Sequence, residues 1–273
     1  MNKFKAACVQ LTADRDDSVT LGPACDLIRQ AHALGADYIQ TPECTTMMEP
    51  NKKLTLEKAL PESDHPSVKA FSALAAELGV WLHIGSLIVG TEESRAANRA
   101  FLFSPQGDIA ARYDKIHMFD VVIPDGQSYR ESATFRPGDQ AVVAKLPWAE
   151  LGMAICYDVR FPYLFRAQAK KGATILTAPA AFTKFTGEAH WHTLLKARAI
   201  ENGCFVIAAG QCGVHAEGRE TYGHSLIIAP WGEVLADGGD QPGIIVADID
   251  LDRVKQARDM VPSIDHDRDF TIS

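Results

Sequence analysis

Residues 151–177 read LGMAICYDVRFPYLFRAQAKKGATILT, and one crossover unit is complete within them. Residues 151–155 are an apolar run suited to a short buried strand, and residues 157–161 a polar turn. Pro162 is a good first helical residue, because the N–H it lacks has no intrahelical partner at a helix start. The spacing predicts a helix over 163–171, stopped by Gly172, and a second strand over 174–177. Strand, helix, glycine and strand in that order describe an α/β crossover. The same stretch carries Cys156 where the apolar run ends and the turn begins, a position from which a side chain can face a ligand.

The rhythm recurs outward from this unit. Helical patterns over 22–34, 67–78 and 189–202 are each followed by a glycine, Gly35, Gly79 and Gly203. Strand-like runs fall at 4–11, 38–41, 81–89, 98–103, 109–113, 142–145, 205–209, 225–229 and 244–248. SPQGD at 104–108 and PWGE at 230–233 look like hairpin turns, so the sheets should be mixed. Eleven strands with four helices are too many for one flat sheet. Two sheets packed face to face with helices outside, an α-β-β-α sandwich, satisfy the pattern. Residues 49–66 read as a mobile loop over a cleft, 120–139 as a long excursion, and 262–273 as a solvated tail or an arm docking on a partner subunit.

A chain of 273 residues with 47% hydrophobic content can bury a large core, and a single domain over 1–273 is expected. A net charge of −8 argues against general affinity for nucleic acid or an anionic membrane and favours a small-molecule substrate. The start, MNKFKAACVQL, lacks the pattern of a secretory signal, and no stretch is apolar for long enough to span a bilayer. Six scattered cysteines without a CxxC pair fit neither a disulfide framework nor a zinc site, so a cytoplasmic setting is expected.

Glu43 and Lys115 share the address of Cys156, since each comes just after a strand. The crevice beyond the carboxyl ends of strands is where α/β sheets bind ligands, so the three side chains can meet despite their separation in sequence. A thiol, a carboxylate and an ammonium suit acyl transfer from an amide. Glu43 would serve as general base, Cys156 as nucleophile, and Lys115 with the backbone N–H of Tyr157 as oxyanion donors. No metal or organic cofactor is required. Taken singly, Cys156 is also explained as a small buried hydrophobe, Glu43 as a helix cap and Lys115 as a surface charge.

TPE at 41–43, DKIHMFD at 114–120 and GMAICYDVRFP at 152–162 resemble the three signatures of the nitrilase superfamily of carbon–nitrogen hydrolases. The similarity continues through SYRES at 128–132, residues 181–202 and YGHSLIIAPWGEVLAD at 222–237. It implies the same sandwich, a Glu43–Lys115–Cys156 triad, hydrolysis through a thioester, and Glu131 holding Lys115 charged and oriented. Within the superfamily the chain looks most like the Nit branch, which implies deaminated-glutathione amidase activity or ω-amidase activity on 2-oxoglutaramate, with the first favoured. By the same resemblance Arg160 would pair a substrate carboxylate, Phe182, Thr186 and His117 would line the pocket, and the protein would be a homodimer or larger. Thr41 before the proline and Cys44 after Glu43 depart from the family pattern. Cys44 would be a passive neighbour or an oxidation partner of Cys156.

Other readings compete. A carbamoylase or nitrilase would share the chemistry, a silent binding protein would share only the fold, and a papain-like protease lacks its cysteine–histidine signature here. His190 and His192 form an HxH pair beside Glu188, which fits a helix start better than zinc. No phosphate-binding glycine loop is present.

Overall fold

The computed structural model describes residues 2–122 and 128–273. Residues 123–127, inside the excursion expected over 120–139, lie outside the described residues.

The first sheet runs in the order Gly243–Asp250, Lys3–Gln10, Tyr38–Gln40, Trp81–Gly90, Ala97–Phe103, Ile109–Asp114, with Leu60–Pro61 pairing alongside Trp81–Gly90. The second runs Val234–Asp237, Leu226–Ile228, Phe205–Ala208, Ile175–Thr177, Glu150–Met153, Val142–Lys145. Each has a parallel core of three strands and antiparallel flanks. Crossover helices connect the parallel strands, hairpins add Ala97–Phe103, Ile109–Asp114, Val142–Lys145 and Val234–Asp237, and Gly243–Asp250 pairs with Lys3–Gln10 from the far end of the chain.

Side-chain alternation assembles the layers. In Lys3–Gln10, Ala6 and Cys8 face the second sheet and join the core containing Met153, Ile175 and Val206. Ala7 and Val9 face the other way, against Ala24 and Ile28 of helix Asp17–Ala33 and Phe71 and Leu74 of helix Pro66–Leu78. Helices Pro162–Lys170 and Lys184–Asn202 cover the second sheet. A period of two along the strands therefore supplies one core between the sheets and another beneath the outer helices, giving the four-layer α-β-β-α sandwich. Gly79 and Gly203 end their helices in the left-handed conformation, φ +66° and +57°, which a side chain would resist.

Several boundaries differ from those expected. Helix Asp17–Ala33 starts five residues before Gly22 and carries Pro23 internally, with Asp17 in its first turn. Residues 49–66 form helix Lys52–Lys58 and strand Leu60–Pro61 rather than an unstructured loop, with the Asn51 side chain accepting from the Leu54 N–H at 3.2 Å. Strands Asp120–Val122 and Ser128–Arg130 pair within the long excursion. The tail folds back on its own chain, where Asp267 accepts hydrogen bonds from Arg166 and Lys170.

Candidate active site

Three strand exits converge on one cavity. Glu43 follows strand Tyr38–Gln40, Lys115 follows Ile109–Asp114, and Cys156 follows Glu150–Met153. The turn bearing Glu43 lies directly on Gly85 of strand Trp81–Gly90: a Cβ there would come within 2.2 Å of the Thr41 carbonyl oxygen and 2.5 Å of Pro179 Cβ. Cys156 opens a 3-10 turn over Cys156–Arg160 with φ +50°, and its N–H donates to the Pro179 carbonyl at 2.9 Å. A non-glycine residue in that region is strained.

Hydrogen bonds tie the charged groups together. Lys115 Nζ donates to Glu43 Oε1 at 2.8 Å and to both oxygens of Glu131 at 2.8 and 2.9 Å. Asn98 Nδ2 bridges the same carboxylates, at 2.9 Å to Glu43 and 3.3 Å to Glu131. Glu43 Oε2 accepts from the Ala181 N–H at 2.8 Å, and Cys156 lines the same cavity as the Glu43 carboxylate. Glu131 Oε2 also accepts from the Phe119 N–H at 2.6 Å, which holds the carboxylate over the lysine. Lys115 is 2%, Glu43 4% and Cys156 7% exposed, so these interactions operate with little solvent to weaken them.

The protonation states follow from this packing. Burial opposes ionisation of Glu43, yet Lys115, the thiol and the Ala181 N–H together hold its carboxyl below the usual range. Burial likewise disfavours the charged lysine, but Glu131 and Glu43 outweigh it and keep Lys115 protonated far above its ordinary value. Burial and then the Glu43 charge push the Cys156 thiol well up, against the pull of Lys115. The resting arrangement is therefore thiol, carboxylate and ammonium. It can move a proton from sulfur to Glu43 while Lys115 remains a fixed cation beside developing negative charge.

Asp158 sets the spacing between two of the three exits. Its fully buried carboxylate accepts from the Ile155 N–H at 2.8 Å and Tyr113 Oη at 2.7 Å through Oδ2. Oδ1 accepts from the His117 N–H at 3.0 Å and lies 2.6 Å from His117 Nδ1. One side chain thus fastens the residue before Cys156 to residues on both sides of Lys115.

The cavity holds about 480 Å³, and Tyr157, Phe182 and Thr186 line it together with the charged cluster. Phe182 packs against Trp191 with ring centroids 4.9 Å apart, and Thr186 Oγ1 is 2.7 Å from Thr183 Oγ1. Two expected lining residues lie elsewhere. His117 stacks on Phe161 at 3.6 Å and is engaged by Asp158 and Tyr163, so it braces the loop instead of facing the cavity. Arg160 sits over the Phe182 ring, 5.3 Å from its centroid, with Nη2 3.3 Å from His190 Nδ1, and is not among the cavity's lining residues. The HxH pair is split accordingly, because His192 turns to Asp237 at 3.0 Å. His192, His224 and Asp237 bring ligand-type atoms within 4.8 Å of one another, and none of the three lines the cavity. The Cys44 thiol, at the cavity wall, is pushed up to about 12 by burial and the Glu43 charge, which makes it a poor nucleophile and favours the passive role.

The sequence reading passed over Asn98, Asp158, Arg219 and the Ala181 peptide. Asn98 lies inside a strand and Ala181 acts through its backbone, so neither had a side-chain signal. Asp158 was visible two residues after Cys156 in the polar turn, where a buried acid has to be paired.

The chain as a whole is similar to known proteins. Residues 5–259 match the family model for carbon–nitrogen hydrolases. The chain is 42% identical over 270 residues to the deaminated glutathione amidase of Synechocystis, covering 97% of this chain and 98% of that protein. It is 35% identical to the omega-amidase NIT2 of Xenopus tropicalis, covering 96% and 94%. The crystal structure of the C. elegans NitFhit protein superposes with a TM-score of 0.92 at 35% identity, over 98% of this chain and 66% of that one. Matching sequence, fold and clustered strand-end residues leave one conclusion: this chain belongs to the carbon–nitrogen hydrolase family of the nitrilase superfamily.

Proposed function

We propose that the protein hydrolyses a small carboxylated amide through a thioester on Cys156, with deaminated glutathione as its substrate. The observation that carries this reading is the Glu43 carboxylate, bonded to the Lys115 ammonium at 2.8 Å in the same cavity that Cys156 lines. Glu43 takes the thiol proton as sulfur attacks the amide carbon. The oxyanion is stabilised by Lys115 and the Tyr157 N–H, which lies at the start of the 3-10 turn where backbone donors lack an intrahelical acceptor. Collapse breaks the carbon–nitrogen bond as Glu43 returns its proton to the departing amine. A water molecule, deprotonated by Glu43, then attacks the thioester, and the expelled thiolate recovers that proton. Glu131 acts as a positioning residue, since it touches Lys115 and not the reacting atoms.

Support for the substrate comes from the likeness to deaminated glutathione amidases over nearly the whole chain. The second reading, 2-oxoglutaramate, is favoured by the likeness to an omega-amidase. We also read residues 1–273 as one domain. All six cysteines are unpaired, which supports a reducing, cytoplasmic setting. Exposed Trp231 and exposed Ile200, which packs on Gly232, support a homo-oligomer. The deciding experiment is a panel of deaminated glutathione, 2-oxoglutaramate, N-carbamoyl amines and nitriles, with Cys156→Ala as the blank. Highest kcat/KM on deaminated glutathione is expected. Carbon dioxide release from N-carbamoyl amines as the fastest reaction would overturn the reading, and absence of any acyl-enzyme would favour a silent binding protein.

A further inference from the structure

Arg219 lies on the cavity wall with its charge uncommitted. Its Nη2 donates to the Ala181 carbonyl at 3.0 Å, and its guanidinium lies over the Tyr129 ring, 5.4 Å from the centroid. Its Nε is buried without a hydrogen-bond partner. The acids beside it in sequence are engaged elsewhere, Glu217 with Arg15 at 3.3 Å and Glu220 with Lys184 at 3.0 Å, and among the described residues no carboxylate pairs with Arg219. Lys115, by contrast, already pairs with two carboxylates. A half-buried guanidinium held by one neutral acceptor and an aromatic face, with Nη1 unbonded among the described residues, is prepared for an anion.

Its place relative to Glu43 indicates which part of the substrate it meets. Glu43 Oε1 faces Lys115 and Asn98, the side where the carbonyl oxygen collects charge. Oε2 faces Ala181, whose N–H it receives at 2.8 Å. The other end of the same residue, its carbonyl, receives Arg219. Arg219 therefore stands on the flank of Glu43 opposite the oxyanion, within about 10 Å of the carboxylate given ordinary backbone dimensions. The departing nitrogen must lie against Glu43 to be protonated, and two residues of extended chain span at most about 7 Å. The terminal carboxylate of a departing dipeptide would reach the guanidinium.

We propose that Arg219 binds the carboxylate of the leaving amine and selects amides whose leaving group is a dipeptide-sized amino acid derivative. This rests on the substrate reading above and gives the leaving side its own anchor. It predicts discrimination by the leaving group, since 2-oxoglutaramate releases only ammonia and offers nothing to this arginine.

The test compares deaminated glutathione with its C-terminal carboxamide. Calorimetry on Cys156→Ala protein gives binding, and turnover by the protein with Cys156 intact gives kcat/KM. The acid should be favoured over the carboxamide by roughly ten- to hundredfold, the range of a hydrogen-bonded charge pair. In Arg219→Gln the ratio should fall to about one, and Arg219→Lys should recover part of it. Loss of kcat/KM in Arg219→Gln should be at least about tenfold larger for deaminated glutathione than for 2-oxoglutaramate. A preference for the acid that survives Arg219→Gln overturns the proposal. So does an equal loss on acid, carboxamide and 2-oxoglutaramate, which would make Arg219 a prop for Ala181. If the acid is bound preferentially but not hydrolysed, the substrate reading fails and Arg219 stands; binding of neither compound sinks both.

Discussion

Lys115 is a buried cation with two carboxylates, and this asymmetry sets what each substitution does. Glu43→Gln removes the proton acceptor and should lower kcat by about 10²–10⁴-fold. It also removes the negative charge that raises the Cys156 thiol while leaving Lys115 in place. The alkylation profile of Cys156 with iodoacetamide should therefore shift to lower pH in Glu43→Gln even as turnover is lost; an unmoved profile would separate the two side chains. In the unsubstituted protein alkylation should be slow and nearly flat from about pH 6 to 9, because the thiol stays protonated there. Glu131→Gln leaves the reacting groups untouched but loosens Lys115. Its kcat should drop by roughly 10²-fold with little change in KM, as expected for displaced geometry. The chemistry-bearing types, Cys156, Glu43 and Lys115, were legible in the sequence because each sits at the end of an apolar run. Asn98 and Ala181 were not, because a strand asparagine and a backbone N–H acquire meaning only when the two sheets face each other.

At the scale of elements, periodicity and glycine stops located the core strands and four helices, and errors gathered where tertiary packing overrides local pattern. Helix Lys184–Asn202 was expected over 189–202, and it begins five residues earlier. Gly187 lies inside the helix, and a Cβ there would come 2.4 Å from Tyr222 Cβ and Cγ. The glycine is a contact surface for strand Glu220–Tyr222, not a stop. Gly187→Ala should therefore destabilise the protein by about 1–3 kcal/mol despite alanine's better helix propensity, as overpacking does. Thermal unfolding would reveal it, and a rise in Tm would show that the helix and strand can separate freely. The short strands Cys212–Val214 and Glu220–Tyr222 leave no signal for a different reason: three residues each carry too little alternation to register.

The whole molecule shows how completely the sheets exclude water. His83 is fully buried, 2.7 Å from Tyr38 Oη through Nδ1, and burial lowers its pKa to about 3. The unfolded chain binds a proton there below its ordinary value while the folded one refuses it until about pH 3. Stability is thus unaffected by this group above about 6.5 and falls as pH decreases below that, by up to about 1.4 kcal/mol per pH unit. A Tm series from about pH 7 to 4 should show a shallower decline in His83→Gln than in the unsubstituted protein. Equal slopes would mean that His83 is protonated within the fold. The sandwich itself was readable from strand count and helix rhythm, since burying two apolar faces of mixed sheets leaves few architectures. The leaving-side wall was less so. Arg219 comes from a loop far along the chain, and nothing near it in sequence marks it as lining the cavity.

Asp158 carries a consequence for how such a site tolerates change. Because a single carboxylate fastens both the nucleophile's turn and the lysine's strand end, it works as a gauge block between sulfur and cation. Mutations that let the two sheets slide slightly would be absorbed elsewhere, while that one clearance is preserved. Lineages are then free to recut the rim for new amides without retuning the reacting centre.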